Sequence, residues 1–194
     1  MQPKPESNAE PESNVGTKSN VGTESKDDSA TTLLSSDFKR GKIEGVVVKD
    51  LRKLLDERGW LSELYRDDEV DAEFRPAMAY VSTTAPGVQR GPHEHREQAD
   101  YFCFIGPSNF KLRLWDNRPG SETFGYVMTL YAGEDAPRSV IVPRGVVHAY
   151  RNTGTTAGVV INFPNRLYMG DGRREEIDEI RHEEDPETIF KLED

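Results

Sequence analysis

The sequence predicts an all-β domain, an antiparallel sandwich or barrel. Two observations predict it. Short apolar or alternating runs recur roughly every ten residues. Gly, Pro and Asn turns separate them, as at Pro86-Gly87 and Asp116-Asn117. A third observation places chemistry on that scaffold. The chain has four histidines, and two of them, His93 and His95, stand one residue apart. Residues i and i+2 of a strand share a face, so two imidazoles are aimed into one space.

Residues 1–40 are rich in Ser, Asn, Glu, Lys and Thr and poor in apolar residues, which predicts a disordered low-complexity tail. Within it Ser13 to Lys18 is repeated as Ser19 to Glu24, too short a repeat for a solenoid. The folded domain is expected over 41–170. Gly45 to Lys49 reads as a strand, Asp56 to Trp60 as a turn, and Leu61 to Arg66 and Ala77 to Thr83 as further strands. In Phe110 to Asp116 the apolar Phe110, Leu112 and Leu114 alternate with Lys111 and Arg113, the pattern of a half-buried strand. Tyr126 to Tyr131, Ser139 to Val142, His148 to Arg151 and Ala157 to Phe163 supply the remaining strands. Residues 171–194 hold eleven acids against four bases. Arg173 to Arg181 is compatible with one short helix, or the acidic segment packs on or trails from the barrel.

Composition narrows the function. Net charge is −10 with pI near 5.0, which argues against a nucleic-acid or anionic-membrane binder. No apolar run approaches the ~18 residues of a membrane span. The single cysteine, Cys103, sits in an apolar run and reads as a buried small hydrophobe. One cysteine permits no intrachain disulfide, so a reducing, cytoplasmic setting is expected.

Two stretches resemble the paired motifs of the cupin family. Gly87, His93, His95, Asp100 and Gly106 follow the first. Pro143, Gly145, His148 and Asn152 follow the second, with Pro137 where the opening glycine belongs. The resemblance implies a double-stranded β-helix, a jelly roll, and a metal site formed by His93, His95, Asp100 and His148. Imidazoles with one carboxylate suit a divalent transition metal: Fe, Mn, Ni, Zn or Cu. Glu97 and Gln98 compete with Asp100 as the oxygen ligand. In this reading Asp100 opens the strand after the histidine pair, and His148 comes from a facing strand.

A narrower resemblance runs from about Gly45 to Tyr168. Asp56-Glu57-Arg58-Gly59-Trp60, Arg90-Gly91-Pro92-His93, Asp116-Asn117-Arg118 and Ser121-Glu122-Thr123-Phe124-Gly125 are similar to the dTDP-4-dehydrorhamnose 3,5-epimerases, a cupin branch. That family acts on a nucleotide-diphosphate keto sugar, removing a proton beside the carbonyl and returning one to the other face. The resemblance implies that His93 is the general base, that Arg58 and Arg90 meet the diphosphate, with Arg118 a further substrate contact, and that the chain is a homodimer in which 45–65 reaches the neighbour. Three departures stand out. Asp100 replaces the family's enolate-stabilising lysine. The family's acid tyrosine falls near Ile161-Asn162, leaving Tyr168 as the nearest candidate. The late aspartate that orients the base has no match in Asp185 to Asp194. His95 stands where the family usually has Gln, and an H-x-H pair also resembles the sugar-nucleotide 3,4-ketoisomerases. In the first reading a metal, if bound, does the work of the lost lysine. The rival readings are an Fe(II)-type oxygenase and a non-catalytic ligand-binding cupin.

Overall fold

The computed structural model describes residues 33–34 and 37–193. Among the described residues, thirteen strands carry the fold. They are β1 (Lys39–Arg40), β2 (Val47–Asp50), β3 (Leu54–Asp56), β4 (Gly59–Leu61), β5 (Tyr80–Thr84), β6 (Gln89–Glu94), β7 (Asp100–Phe104), β8 (Asn109–Asp116), β9 (Tyr126–Gly133), β10 (Arg138–Val142), β11 (Val146–Asn152), β12 (Gly158–Asn162) and β13 (Ile180–Arg181). Two sheets face each other. The larger runs β1-β9-β8-β11-β6-β13 and the smaller β2-β10-β7-β12-β5. Every pairing is antiparallel except β1 with β9. This is the predicted jelly roll, with β3 and β4 as a separate hairpin.

The alternation in β8 does what it predicts. Phe110, Leu112 and Leu114 enter the core between the sheets, where they meet Phe102, Phe104, Val140, Val160 and Tyr150. Each such side chain removed from water contributes ~1.5–3 kcal/mol. Cys103 points to the other face of β7 and is fully buried with Tyr101 and Ile141 under Leu64, Tyr65 and Phe74. Burial pushes its thiol up to about 12, so it is an inert apolar residue.

Two expectations need adjusting, and a third is decided between its two alternatives in favour of packing on the barrel. Residues 1–32, 35 and 36 of the expected tail lie outside the described residues, but its last part is structured. Phe38 packs near Phe190 and Trp115, and Lys39–Arg40 is β1. Leu61 ends β4, so the strand expected to Arg66 stops early, and the chain beyond it lies over the smaller sheet. The acidic segment is not a helix. Between two short 3-10 turns it adds β13 to the larger sheet, then buries Phe190 and Leu192 against Trp115, Val127, Val147 and Ala149. Those two apolar residues anchor a stretch that its charge alone would leave in water.

β6 and β11 meet with a register shift between His148 and Tyr150. Gly91 makes the approach possible. Its φ is +74°, and a Cβ there would stand 2.5 Å from the His148 carbonyl oxygen. A side chain at 91 would push apart the two strands that carry the histidines.

Candidate active site

Between the sheets opens a cavity of about 740 Å³. The larger sheet contributes Arg90, His93 and Tyr150, the smaller Tyr80, Ser82 and Phe102, and the acidic segment closes one side through Asp178, Glu179 and Glu183. His93 lies in β6 and His95 just past its end. His148 pairs directly with His93 across β6 and β11, so it is a neighbour in the same sheet and not on a facing strand as expected. The facing sheet supplies Asp100 instead. One ligand atom from each of His93, His95, Asp100 and His148 can be chosen so that all four lie within 4.8 Å of one another.

Hydrogen bonds fix the orientation of two of the rings. Nδ1 of His95 meets the Asp178 carbonyl, and Nδ1 of His148 lies 3.1 Å from the Val146 carbonyl. A carbonyl only accepts, so both Nδ1 atoms carry the hydrogen. Both Nε2 atoms then face Asp100 Oδ2, His95 at 3.2 Å and His148 at 3.3 Å, the latter without hydrogen-bond alignment. The other carboxylate oxygen, Oδ1, accepts from Gln98 Nε2 at 2.9 Å and Asn162 Nδ2 at 2.8 Å. Gln98 Nε2 is also 3.3 Å from His95 Nε2, but it carries no net charge.

Two lone pairs and an anionic oxygen thus converge, an arrangement that requires a positive charge. Burial disfavours charge on His95, but its contact with Asp100 and the Asp178 carbonyl outweigh this and raise its pKa to about 9. Burial opposes the Asp100 anion too, yet His148 and His95 hold its carboxyl well below the usual range. His93 behaves oppositely. Burial, then the neighbouring His148 and His95, push it down to about 2, so its imidazole is neutral. Its Nδ1 is buried without a hydrogen bond, with Glu179 at 3.8 Å and Glu183 at 3.9 Å.

The remaining expected site residues are dispersed. Arg90 lines the cavity, held by Thr84 Oγ1 at 3.0 Å and the Thr83 carbonyl at 2.8 Å. Tyr168 is half-exposed at the rim. Arg118 is outside the cavity: its guanidinium grips Asp116 at 2.8 Å through Nε and again through Nη2. Arg58 is 83% exposed at the tip of the β3–β4 hairpin, paired with Asp56. Glu97 points outward to Arg144 and Arg166, which removes it as a rival to Asp100.

Sequence reasoning missed the acidic segment's part in the site. The Asp178 carboxylate accepts the backbone N–H groups of Arg96, Glu97 and Gln98 at 2.9, 2.9 and 2.8 Å, tying the loop between His95 and Asp100 to the segment. Asn162 and Tyr80 were missed as well. Asn162 left a signal, an amide ending the otherwise apolar β12. A charged tail offers none.

A jelly roll with three histidines and one acid gathered between its sheets is a cupin. The dTDP-4-dehydrorhamnose 3,5-epimerase family profile matches residues 40–177. The spore coat polysaccharide biosynthesis protein SpsL of Bacillus subtilis is 39% identical over 147 residues, 76% of this chain and 93% of that protein. The probable low-salt glycan biosynthesis epimerase Agl13 of Haloferax volcanii is 36% identical over 128 residues, 65% of this chain and 81% of its own. Among solved structures, a dTDP sugar isomerase from Desulfovibrio desulfuricans superposes with a TM-score of 0.67 at 22% identity, covering 83% of this chain and 94% of that one. The chain belongs to the dTDP-4-dehydrorhamnose 3,5-epimerase family, and it is an enzyme of the sugar-nucleotide epimerase class.

Proposed function

We propose that the chain epimerises a nucleotide-diphosphate 4-keto sugar at a carbon beside the carbonyl, with His93 as base and protonated His95 as the group that steadies the enolate. The convergence of His95 Nε2, His148 Nε2 and Asp100 Oδ2 carries this reading. His93 offers a neutral imidazole to take the C–H proton, and Glu179 and Glu183, 3.8 and 3.9 Å from Nδ1, stand where they would stabilise the imidazolium and offset the burial that disfavours it. The electron pair moves onto the carbonyl oxygen. There the His95 imidazolium supplies the positive charge that the lysine replaced by Asp100 would have carried. Arg90, fixed to uncharged oxygens through Nε and Nη2, keeps its charge and its remaining donors for the diphosphate.

The same donors fit a divalent transition ion. Both rings whose Nδ1 is fixed offer Nε2, and a backbone carbonyl on the other nitrogen is the usual support for a metal-binding imidazole. His93, His95, Asp100 and His148 would hold the ion, which would polarise a carbonyl. It would also occupy the His93 lone pair that acts as base, so the ion-free form is the epimerase in this reading. Solvent deuterium exchange into a dTDP-linked 4-keto-6-deoxyhexose tests it. Exchange should survive dialysis against a chelator, fall with added Zn(II), and vanish in His93→Ala. Activity that vanishes on chelation and returns with metal would overturn it.

The hairpin leaves Leu55 at 78% and Leu61 at 64% exposure, beside exposed Arg58. Such a surface supports a homodimer in which this arm meets the neighbouring subunit. Light scattering at micromolar concentration tests it, and a monomer would refute it. No helix among the described residues is long and apolar enough to cross a membrane. The buried, unpaired Cys103 supports a reducing cytoplasmic location.

A further inference from the structure

Inverting a stereocentre requires a proton to leave one face of a carbon and another to arrive on the opposite face. A base on one sheet therefore needs a proton donor across the cavity. The chain's candidate on the rim, Tyr168, is half-exposed on a loop beyond β12. The smaller sheet, facing His93, presents a different phenol, Tyr80, which is exposed to a similar degree (45%) but is carried by a strand and lines the same cavity.

Tyr80 opens β5, and its neighbours on the same face, Met78 and Ser82, line the cavity with it. Across the sheet it pairs with Asn162 of β12. The orientation of the Asn162 amide is fixed, because its Oδ1 accepts the Tyr101 backbone N–H at 3.1 Å. Its Nδ2 therefore carries the two hydrogens. One goes to Asp100 Oδ1 at 2.8 Å and the other to the Tyr80 hydroxyl at 2.8 Å. The hydroxyl is thus the acceptor in that bond, and among the described residues its own hydrogen has no recorded acceptor. The phenol is held by an amide that also holds Asp100, in the wall opposite His93.

Resting on the proposed epimerase chemistry, we infer that Tyr80 is the catalytic acid that delivers a proton to the enolate on the face opposite His93. The balance is simple. His93 gains the proton removed from carbon. The enolate pair reforms the carbonyl while the carbon takes the Tyr80 O–H hydrogen. The phenolate then regains a proton from water and the His93 imidazolium loses one to it. Burial, followed by the Asp100 charge, pushes the phenol up to about 12, so it stays protonated until it donates. Asn162 Nδ2–H remains on the oxygen and supports the phenolate when it forms. The position expected to carry an acid tyrosine, near Ile161-Asn162, is thereby served from the adjacent strand.

The test is Tyr80→Phe in the full chain, followed in D₂O by NMR on a dTDP-linked 4-keto-6-deoxyhexose, with dTDP affinity as the check on folding. Formation of the inverted epimer should fall by about 10²-fold or more with KM within about twofold. Exchange of the proton facing His93, with retention, should persist. Inversion at the wild-type rate in Tyr80→Phe overturns the inference, and so does inversion lost in Tyr168→Phe but kept in Tyr80→Phe. Wild-type protein that neither exchanges nor inverts any 4-keto sugar nucleotide overturns the epimerase chemistry itself and this inference with it.

Discussion

Two buried aspartates separate what holds this protein together from what it does. Asp116 and Asp100 each end or begin a central strand, and their side chains are 0% and 1% exposed. Asp116 is complete. The Arg118 guanidinium grips both its oxygens, and Ser121 Oγ and Thr123 Oγ1 each donate at 2.6 Å. Its charge is balanced by a group that never loses its proton. Asp100 has amide donors on one oxygen and two imidazoles on the other. Its balancing charge can leave as a proton or be replaced by an ion. A buried carboxylate with a permanent partner is structural, and one whose partner can be exchanged is poised for chemistry.

The comparison is sharpest in stability. Asp116→Ala leaves the partly buried Arg118 unpaired and should cost about 3–5 kcal/mol in urea unfolding. The remaining folded molecules should turn over normally. If Asp116→Ala instead kept its melting temperature and lost turnover, the distinction would fail.

Asp100→Asn is expected to do the reverse. Removing the anion that holds His95 protonated should lower kcat by about 10²–10³-fold with a smaller stability change, measured by pairing kinetics with thermal unfolding. An Asp100→Asn enzyme at wild-type turnover would place its charge outside the reaction.

The pH dependence comes next in size. His95 is raised from 6.5 to about 9, so its contribution to stability is full below 6.5 and is lost as pH rises through about 9. His93 is lowered from 6.5 to about 2, so its contribution is full above 6.5 and is lost as pH falls toward 2. Asp100 adds to the acid side, losing its contribution below the ordinary carboxylate range. From these groups stability should peak near pH 6.5. His95→Gln should flatten the alkaline side, with a smaller change on the acid side through His93 and Asp100, and an alkaline slope unchanged in that variant would assign it to another group. Asp116 behaves on the acid side as Asp100 does: burial opposes its charge, but Arg118, Ser121 and Thr123 hold its carboxyl below the usual range, so its contribution is lost only below ordinary carboxylate pH and it adds nothing to the alkaline side.

The smallest effect concerns the tail. Removing residues 1–32, polar in composition, should change unfolding free energy by no more than about 0.5 kcal/mol. Extending the deletion through Arg40 should cost more, because it takes Phe38 and β1 as well. Equal melting temperatures for the two truncations would contradict the packing of Phe38.

The sequence by itself determined the sandwich and half of the site. Alternation in β8 and the one-residue gap between His93 and His95 report side-chain direction, a local property that period 2 encodes. Asp100 and His148 were implied by the resemblance to the cupin motifs, and the strand pairing then placed His148 in the same sheet as His93. What only the tertiary structure decided was the choice of partner. Arg118 has the chemistry of a phosphate ligand, but the turn after β8 folds it onto Asp116, two residues away. Glu179, Glu183 and Asp178 read as solvated charge until β13 pairs with β6 and Phe190 and Leu192 dock on the larger sheet, which brings those acids to histidines some eighty residues earlier. Tyr80 and Asn162 are 82 residues apart and meet only through strand register. A local pattern fixes which way a side chain faces, but what it faces depends on chain closure over long separations, and no short-range period records that.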